Sequence, residues 1–130
     1  MLIDTSGFFC IHDKAERHHN LANEINQEFR ARITTNYILA EYVALAIVRG
    51  LSQRKIAAFS KEILEDETIE IIWVDEKIHA EAVELLNERQ DKTYSLCDAV
   101  SFVIMRERQI TQALTTDKHF EQEGFVRLLK

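Results

Sequence analysis

The chain has 130 residues, 46% of them hydrophobic and 29% charged, with a formal net charge of −6. That length supports one well-buried core, and the acidic balance argues against a strongly basic nucleic-acid footprint. No apolar run reaches the roughly 18 residues of a membrane span, Met1 leads into a short apolar run without the basic region of a secretory leader, and the two cysteines, Cys10 and Cys97, lie in apolar surroundings, so the expectation is a reduced cytoplasmic protein with no disulfide framework.

Proline is absent and there are three glycines; no linker, low-complexity tract or repeat interrupts the chain, so residues 1–130 read as a single domain. Met1–Asp4 predicts a short buried strand ending in a polar turn at Thr5-Ser6-Gly7. Lys14–Arg30 carries Leu21, Ala22, Ile25 and Phe29 at helical spacing. Arg32–Thr35 predicts a second strand, and Asn36 is a suitable cap for a helix over Tyr37–Arg49, apolar almost all round and therefore expected to be largely buried. Gly50 stands where a helix C-terminal glycine belongs. A helix from Ser52 to about Asp66 turns Ile56, Phe59, Ile63 and Leu64 inward, and Ile69–Val74 predicts a third strand with Trp73 in the core. Glu76–Gln90 predicts an amphipathic helix carrying Ile78, Val83, Leu85 and Leu86; Ser95 begins another, to about Arg108. Thr111–Thr115 and, after a turn at Gly124, Phe125–Leu129 complete five strands. Strands alternating with helices predict an α/β fold with a mainly parallel sheet between helical layers, and the first and third strands are apolar on both faces, as doubly covered strands are.

Four acids interrupt or end runs that otherwise read as core. Glu41 is the only charge in YILAEYVALAIV, Asp98 the only charge in LCDAVSFVIM, Asp4 closes MLI, and Asp117 follows ALTT. Carboxylates are seldom buried unless paired or bound to a cation. In a parallel α/β sheet, ligands bind at the C-terminal strand edges. Asp4 and Asp117 follow strands there, Glu41 lies one turn into the helix leaving the second strand, and Asp98 opens the helix that returns to the fourth. Mg²⁺ and Mn²⁺ take oxygen ligands of this kind, often with waters and substrate phosphate, and acidify a coordinated water. Each acid also has a purely structural reading. Asp98 completes a capping box with Ser95, Asp117 is placed to cap the turn at Lys118-His119-Phe120, Asp4 to form an Asx turn, and Glu41 to pair with an arginine.

The segments LIDTSGF (2–8), TTNYILAEYVAL (34–45), YSLCDAVSFVIM (94–105) and ALTTDKHFEQEGF (113–125) resemble, in order, those of the PIN-domain nucleases, in particular the small VapC-type toxins of prokaryotic toxin–antitoxin pairs. The resemblance implies a three-layer α/β/α sandwich with a five-stranded parallel sheet and a Mg²⁺- or Mn²⁺-dependent endoribonuclease. It places the family's acidic quartet on Asp4, Glu41, Asp98 and Asp117, with Ser6 and Thr116 as polar supports; Cys97 stands where a threonine is often seen before the third acid. It implies an RNA substrate, a homodimer and a small antitoxin. The family also contains RNA-processing nucleases and catalytically idle modules; retention of all four acids argues against the idle class, and small size without appended domains favours the toxin type. Asp4 alone after the first strand, followed by Thr5-Ser6, speaks against a receiver-like phosphoryl-transfer domain, which needs an acid pair there.

Among the other features, His119 and Lys118 are placed to contact RNA phosphates. His18 and His19 read as solvated, Tyr42 and Phe102 as core, and Arg49, Arg54, Lys55, Arg106 and Arg108 mainly as solvated charges. No Cys/His set has zinc spacing, and no glycine-rich phosphate loop is present.

Overall fold

In the computed structural model, which describes all residues from Met1 to Lys130, the centre of the sheet is a strand of two residues. β1 (Leu2–Ile3) is fully buried and pairs in parallel with β2 (Arg32–Thr35) on one side and β4 (Gln112–Leu114) on the other. β3 (Ile69–Ile72) and β5 (Val126–Arg127) form the edges, giving five parallel strands in the order β3-β2-β1-β4-β5. The seven helices are α1 (Thr5–His12), α2 (His19–Glu28), α3 (Asn36–Val48), α4 (Gln53–Glu65), α5 (Glu76–Glu88), α6 (Leu96–Glu107) and α7 (His119–Gln122). From β1 the chain winds outward to β2 and β3, then crosses back to β4 and β5. Right-handed crossovers therefore place α1–α4 on one face and α5–α7 on the other, the three-layer sandwich expected. The aromatic packing divides in the same way. Phe8, Phe9, Tyr42 and Phe59 join α1, α3 and α4, with the Arg49 guanidinium 3.9 Å from the Phe9 ring centroid. Tyr94, Phe102, Phe120 and Phe125 join α6 to α7 and the segment beyond it.

The helix starts are chemically determined. Thr35 caps α3 by accepting from Ile38 N at 3.1 Å, Ser52 caps α4 through Lys55 N at 3.2 Å, and Asp75 caps α5 through Ile78 N at 2.9 Å. Asn36, expected as a cap, is the first residue of α3, and its Oδ1 accepts instead from Val74 N at 2.8 Å. Ser95 and Asp98 form the reciprocal capping box of α6. Gly50 ends α3 at φ +83°, a conformation that favours glycine.

Several expectations do not survive. Thr5-Ser6-Gly7 is not a turn: Asp4 is the N-cap residue of α1, which follows β1 without a loop, and the helix expected over Lys14–Arg30 is confined to α2. Helix α3 is not largely buried. Ile38, Tyr42 and Ala46 face the core, while Leu45, Ile47 and Val48 are exposed, Val48 by 82%. An all-apolar helix on an outer layer has more apolar surface than the core can cover. Leu64 and Val83 are likewise outward. β3 is an edge strand with Glu70 exposed and salt-bridged to Arg108 at 2.9 Å, and it stops before Trp73, which is 63% exposed rather than core. His19 is half-buried, its Nδ1 2.8 Å from the Cys10 carbonyl oxygen, tying α2 to α1.

Gly7 decides how closely α1 sits on the sheet, since a Cβ there would overlap the carbonyl oxygen of Leu114. Backbone atoms of a central strand cannot yield as a side-chain tip can. Gly7→Ala should therefore destabilise the protein by roughly 3 kcal/mol, read as a lower urea midpoint with an unchanged slope; a loss below about 0.5 kcal/mol, the range of neutral surface substitutions, would show that α1 can lift away freely.

Candidate metal centre

All five strands end on one side of the molecule, and the acids gather there. Register brings the first pair together: Ile3 pairs with Leu114, so Asp4 meets Thr115. Asp4 is buried at 5% exposure, and the Thr115 hydroxyl, itself inaccessible, donates to Asp4 Oδ2 at 2.9 Å. The same hydroxyl oxygen accepts from Asp117 N at 3.0 Å and lies 3.1 Å from Ser6 Oγ, which in turn accepts from Thr116 N at 3.0 Å. One donor and two acceptor sites satisfy this arrangement if Ser6 donates to Thr115. Ser6 and Thr115 thus lock the end of β4 to the start of α1, with Asp4 and Asp117 fixed on either side. Thr116 takes part through its backbone; the side chain that touches Asp4 is Thr115.

A second group forms beside it. His119 Nδ1 is 3.0 Å from Asp98 Oδ2 and 3.5 Å from Asp117 Oδ1, and the ligand-type atoms of Asp98, Asp117 and His119 all lie within 4.8 Å of one another. His119 N also donates to Asp117 Oδ1 at 2.9 Å, its Nε2 is 3.2 Å from Thr93 Oγ1, and its ring stands edge-on to Tyr94 at 5.2 Å. Asp4 and Glu41 are not part of that group. Their charges nonetheless act on one another: the negative charges of Asp98 and Glu41 both hinder ionisation of Asp4, and those of Glu41, Asp4 and Asp98 all bear on the Cys97 thiol. Lys118 is exposed at the N-cap position of α7.

What these acids lack is a cationic side-chain partner. No lysine or arginine pairs with Asp4, Glu41, Asp98 or Asp117; His119 alone approaches two of them. Burial pushes the Asp4 carboxyl up to about 7, with the charges of Asp98 and Glu41 adding to the rise and the Thr115 hydrogen bond opposing it. Burial, reinforced by the same acids, also raises the Cys97 thiol, so it stays protonated and inert as a nucleophile. Next to Asp4, the Thr5 hydroxyl is buried with no hydrogen-bond partner. A set of hard oxygen donors, one orphaned hydroxyl and no organic counter-charge suits a small divalent cation.

The sequence profile of the PIN domain family matches residues 1–125. The chain belongs to the PIN domain family. Its PIN domain is similar along nearly its whole length to VapC20 of Mycobacterium tuberculosis, named a 23S rRNA-specific endonuclease. The two are 26% identical over 129 residues, 98% of this chain and 97% of that protein, in both strain CDC 1551 / Oshkosh and strain H37Rv. The crystal structure of VapC20, described as a Sarcin-Ricin loop cleaving toxin, superposes with a TM-score of 0.88 at 25% identity, covering 96% of this chain and 95% of that one.

Thr115 carries no local signal, being the last residue of the expected fourth strand; only the β1–β4 register sets it opposite Asp4. The contact of His119 with Asp98 crosses 21 residues and has no local signature.

The Asp4 environment predicts a pH dependence. Its folded-state value, about 7, exceeds the ordinary 3.8. The folded protein therefore holds this proton more tightly than the unfolded chain, and stability from this group is greatest below pH 4 and falls as pH rises towards 7. The full penalty, on the order of 4 kcal/mol, stands above pH 7. In EDTA, wild type should lose stability between pH 5 and pH 8 by an amount that Asp4→Asn does not, so that at pH 8 the variant melts higher, by on the order of 10 °C. Parallel melting curves for the two proteins across that interval would refute a strained Asp4.

Proposed function

We propose that this PIN domain is a divalent-metal-dependent endoribonuclease of the VapC toxin type, working as a single domain in the cytoplasm. The observation that carries the reading is that Asp98 and Asp117 lie together at the sheet edge, with Asp4 tied to Asp117 through Thr115, and no lysine or arginine pairs with any of them. Asp4, Glu41, Asp98 and Asp117 would hold Mg²⁺ or Mn²⁺, directly or through water. A bound divalent ion supplies a more acidic water and neutralises charge building up on a phosphodiester. The protein's part is to hold the acids still. Thr115 and Ser6 fix Asp4 and Asp117, the α6 capping box fixes Asp98, and His119 keeps Asp98 and Asp117 side by side. Lys118, and His119 beside it, would meet RNA phosphates at the rim. Hydrolysis would leave 5′-phosphate and 3′-hydroxyl ends. The relatives' names make 23S rRNA the first substrate to try, and their toxin type supports a small antitoxin as partner.

Asp98→Asn is the variant of choice, because asparagine retains an oxygen that can accept from Ser95 N and so preserves the cap. Cleavage of ribosomal and total RNA in Mn²⁺ should fall by roughly 100-fold or more, beyond what losing an outer supporting contact costs, with the melting curve intact, and EDTA should abolish wild-type cleavage. Equal cleavage by both proteins would reject the assignment. RNA binding without turnover by antitoxin-free wild type would make this chain an idle PIN module.

Homodimerisation completes the proposal. Along α3, Ala40, Ala44, Ile47 and Val48 form an exposed stripe with Leu45 beside it, an apolar face of a kind that soluble monomers seldom leave open. A second copy packed there self-complementarily would cover it. Ile47→Glu should convert a dimer to a monomer in sedimentation equilibrium while leaving helical content unchanged; a variant that remains dimeric would place the interface elsewhere.

A further inference from the structure

We propose that Trp73 is a base-stacking platform for the single-stranded RNA that enters the acidic edge, an inference that rests on the ribonuclease reading. Trp73 is the only tryptophan in the chain and the largest exposed side chain, at 63%. It is not displayed on a loose loop. On one side of it, Val74 N is held by Asn36 Oδ1 at 2.8 Å; two residues on, Asp75 accepts from Ile78 N at 2.9 Å and caps α5. The indole thus stands on a short, doubly anchored connector between β3 and α5. A rigidly presented, solvent-facing indole forgoes a large apolar gain unless something covers it.

Its position identifies what covers it. Ile72 pairs with Thr35, so Trp73 emerges from the C-terminal end of β3 beside Asn36, at the same sheet edge as the acids. Adjacent strands are about 5 Å apart, and Glu41 is five residues along α3 from Asn36, roughly 8 Å further. Backbone to backbone, the platform is therefore within about 13 Å of Glu41, the acid on the neighbouring helix, the length of about four stacked nucleotides and fewer extended ones. Tyr37 and His79, hydrogen-bonded to one another with rings at 5.8 Å, stand at the starts of α3 and α5 next to it. Charge makes the same case. With a net charge of −6, the protein has little general attraction for a polyanion. Binding beyond what a few phosphate contacts at the rim supply has to come from the bases, and every base offers a π-face.

Because there is one tryptophan, its fluorescence reports the contact directly. Asp98→Asn protein would be titrated in Mg²⁺ with a mixed-sequence single-stranded RNA of about a dozen nucleotides, and with the same backbone made abasic throughout. The expected result is quenching by the RNA and none by the abasic strand. Trp73→Ala should weaken RNA binding roughly 5- to 150-fold and raise KM for cleavage with little change in kcat, and Trp73→Phe should recover most of the loss. Unquenched emission at saturating RNA, or an unchanged KM in Trp73→Ala, overturns the platform. So does dissociation of a dimer by Trp73→Ala with RNA affinity intact, which would assign the indole to a protein interface. Quenching without cleavage by wild type would leave the platform standing and remove the nuclease; cleavage without quenching would do the reverse.

Discussion

Asp4 ends the central strand of the sheet with its carboxylate out of solvent, and the neighbouring segments are intelligible as a response to it. The strand is two residues long because α1 begins at once, with Asp4 as its N-cap residue. The helix can begin there only because Gly7 lets its backbone lie on the carbonyl of Leu114. That close approach brings Ser6 to Thr115, and Thr115 in turn holds Asp4 and the amide of Asp117. A single steric allowance therefore propagates to the spacing of two carboxylates from opposite ends of the chain.

The molecule buries carboxylates in two ways, and the contrast is informative. Glu123 is as inaccessible as Asp98, yet it is met by Arg89 at 2.8 Å, by Arg106 and by the Tyr94 hydroxyl at 3.2 Å. Burial pushes the Glu123 carboxyl up, but the two arginine hydrogen bonds outweigh burial and hold it below the ordinary range. Asp4 has no such partner and moves the other way, to about 7. The chain is thus able to build a complete organic counter-charge, and does so 25 residues after Asp98, where the bridge braces α6, α7 and the end of α5. The acidic edge is left open by comparison. Tyr94 connects the two regions, accepting burial against Phe102 while its ring supports His119.

Most of the fold was legible from local signals. Strand and helix alternation, the caps at Ser52 and Ser95 and the glycine after α3 each have a short-range cause, and the structure places those elements within a residue or two of expectation. The failures at α3, β3 and Trp73 share one origin, since they concern which side of an element faces what. Helix α3 is apolar all round, so its periodicity carries no information about which side is inward; β3 reads as a buried strand because its edge position is a property of topology. Trp73, one residue past β3, inherits that error. At Thr5-Ser6-Gly7, turn-forming residues and a helix start with close packing look alike until the partner strand is known. For the acids, sequence could nominate Asp4, Glu41, Asp98 and Asp117 because a lone charge in an apolar run is visible locally. It could not nominate Thr115 or the bridging position of His119, which depend on the β1–β4 register and on a contact between α6 and α7.

Helix termini offer the remaining source of positive potential, and magnitude decides how far they go. Asp4 sits at the N-terminus of α1 and Asp98 in the first turn of α6, where backbone N–H groups favour negative charge. Such an interaction contributes typically 0.3–1 kcal/mol, about 2 at best, whereas ionising Asp4 in its folded setting costs on the order of 4 kcal/mol. The helix ends orient the carboxylates without settling their charge. A site organised by rigid backbone yet electrostatically incomplete gains most from the ligand that completes it, because the cation then need spend none of its binding energy on arranging its own donors. If a cation is held by Asp4, metal affinity and folding stability are coupled through the same buried carboxylate: binding would recover the cost of ionising it near neutral pH.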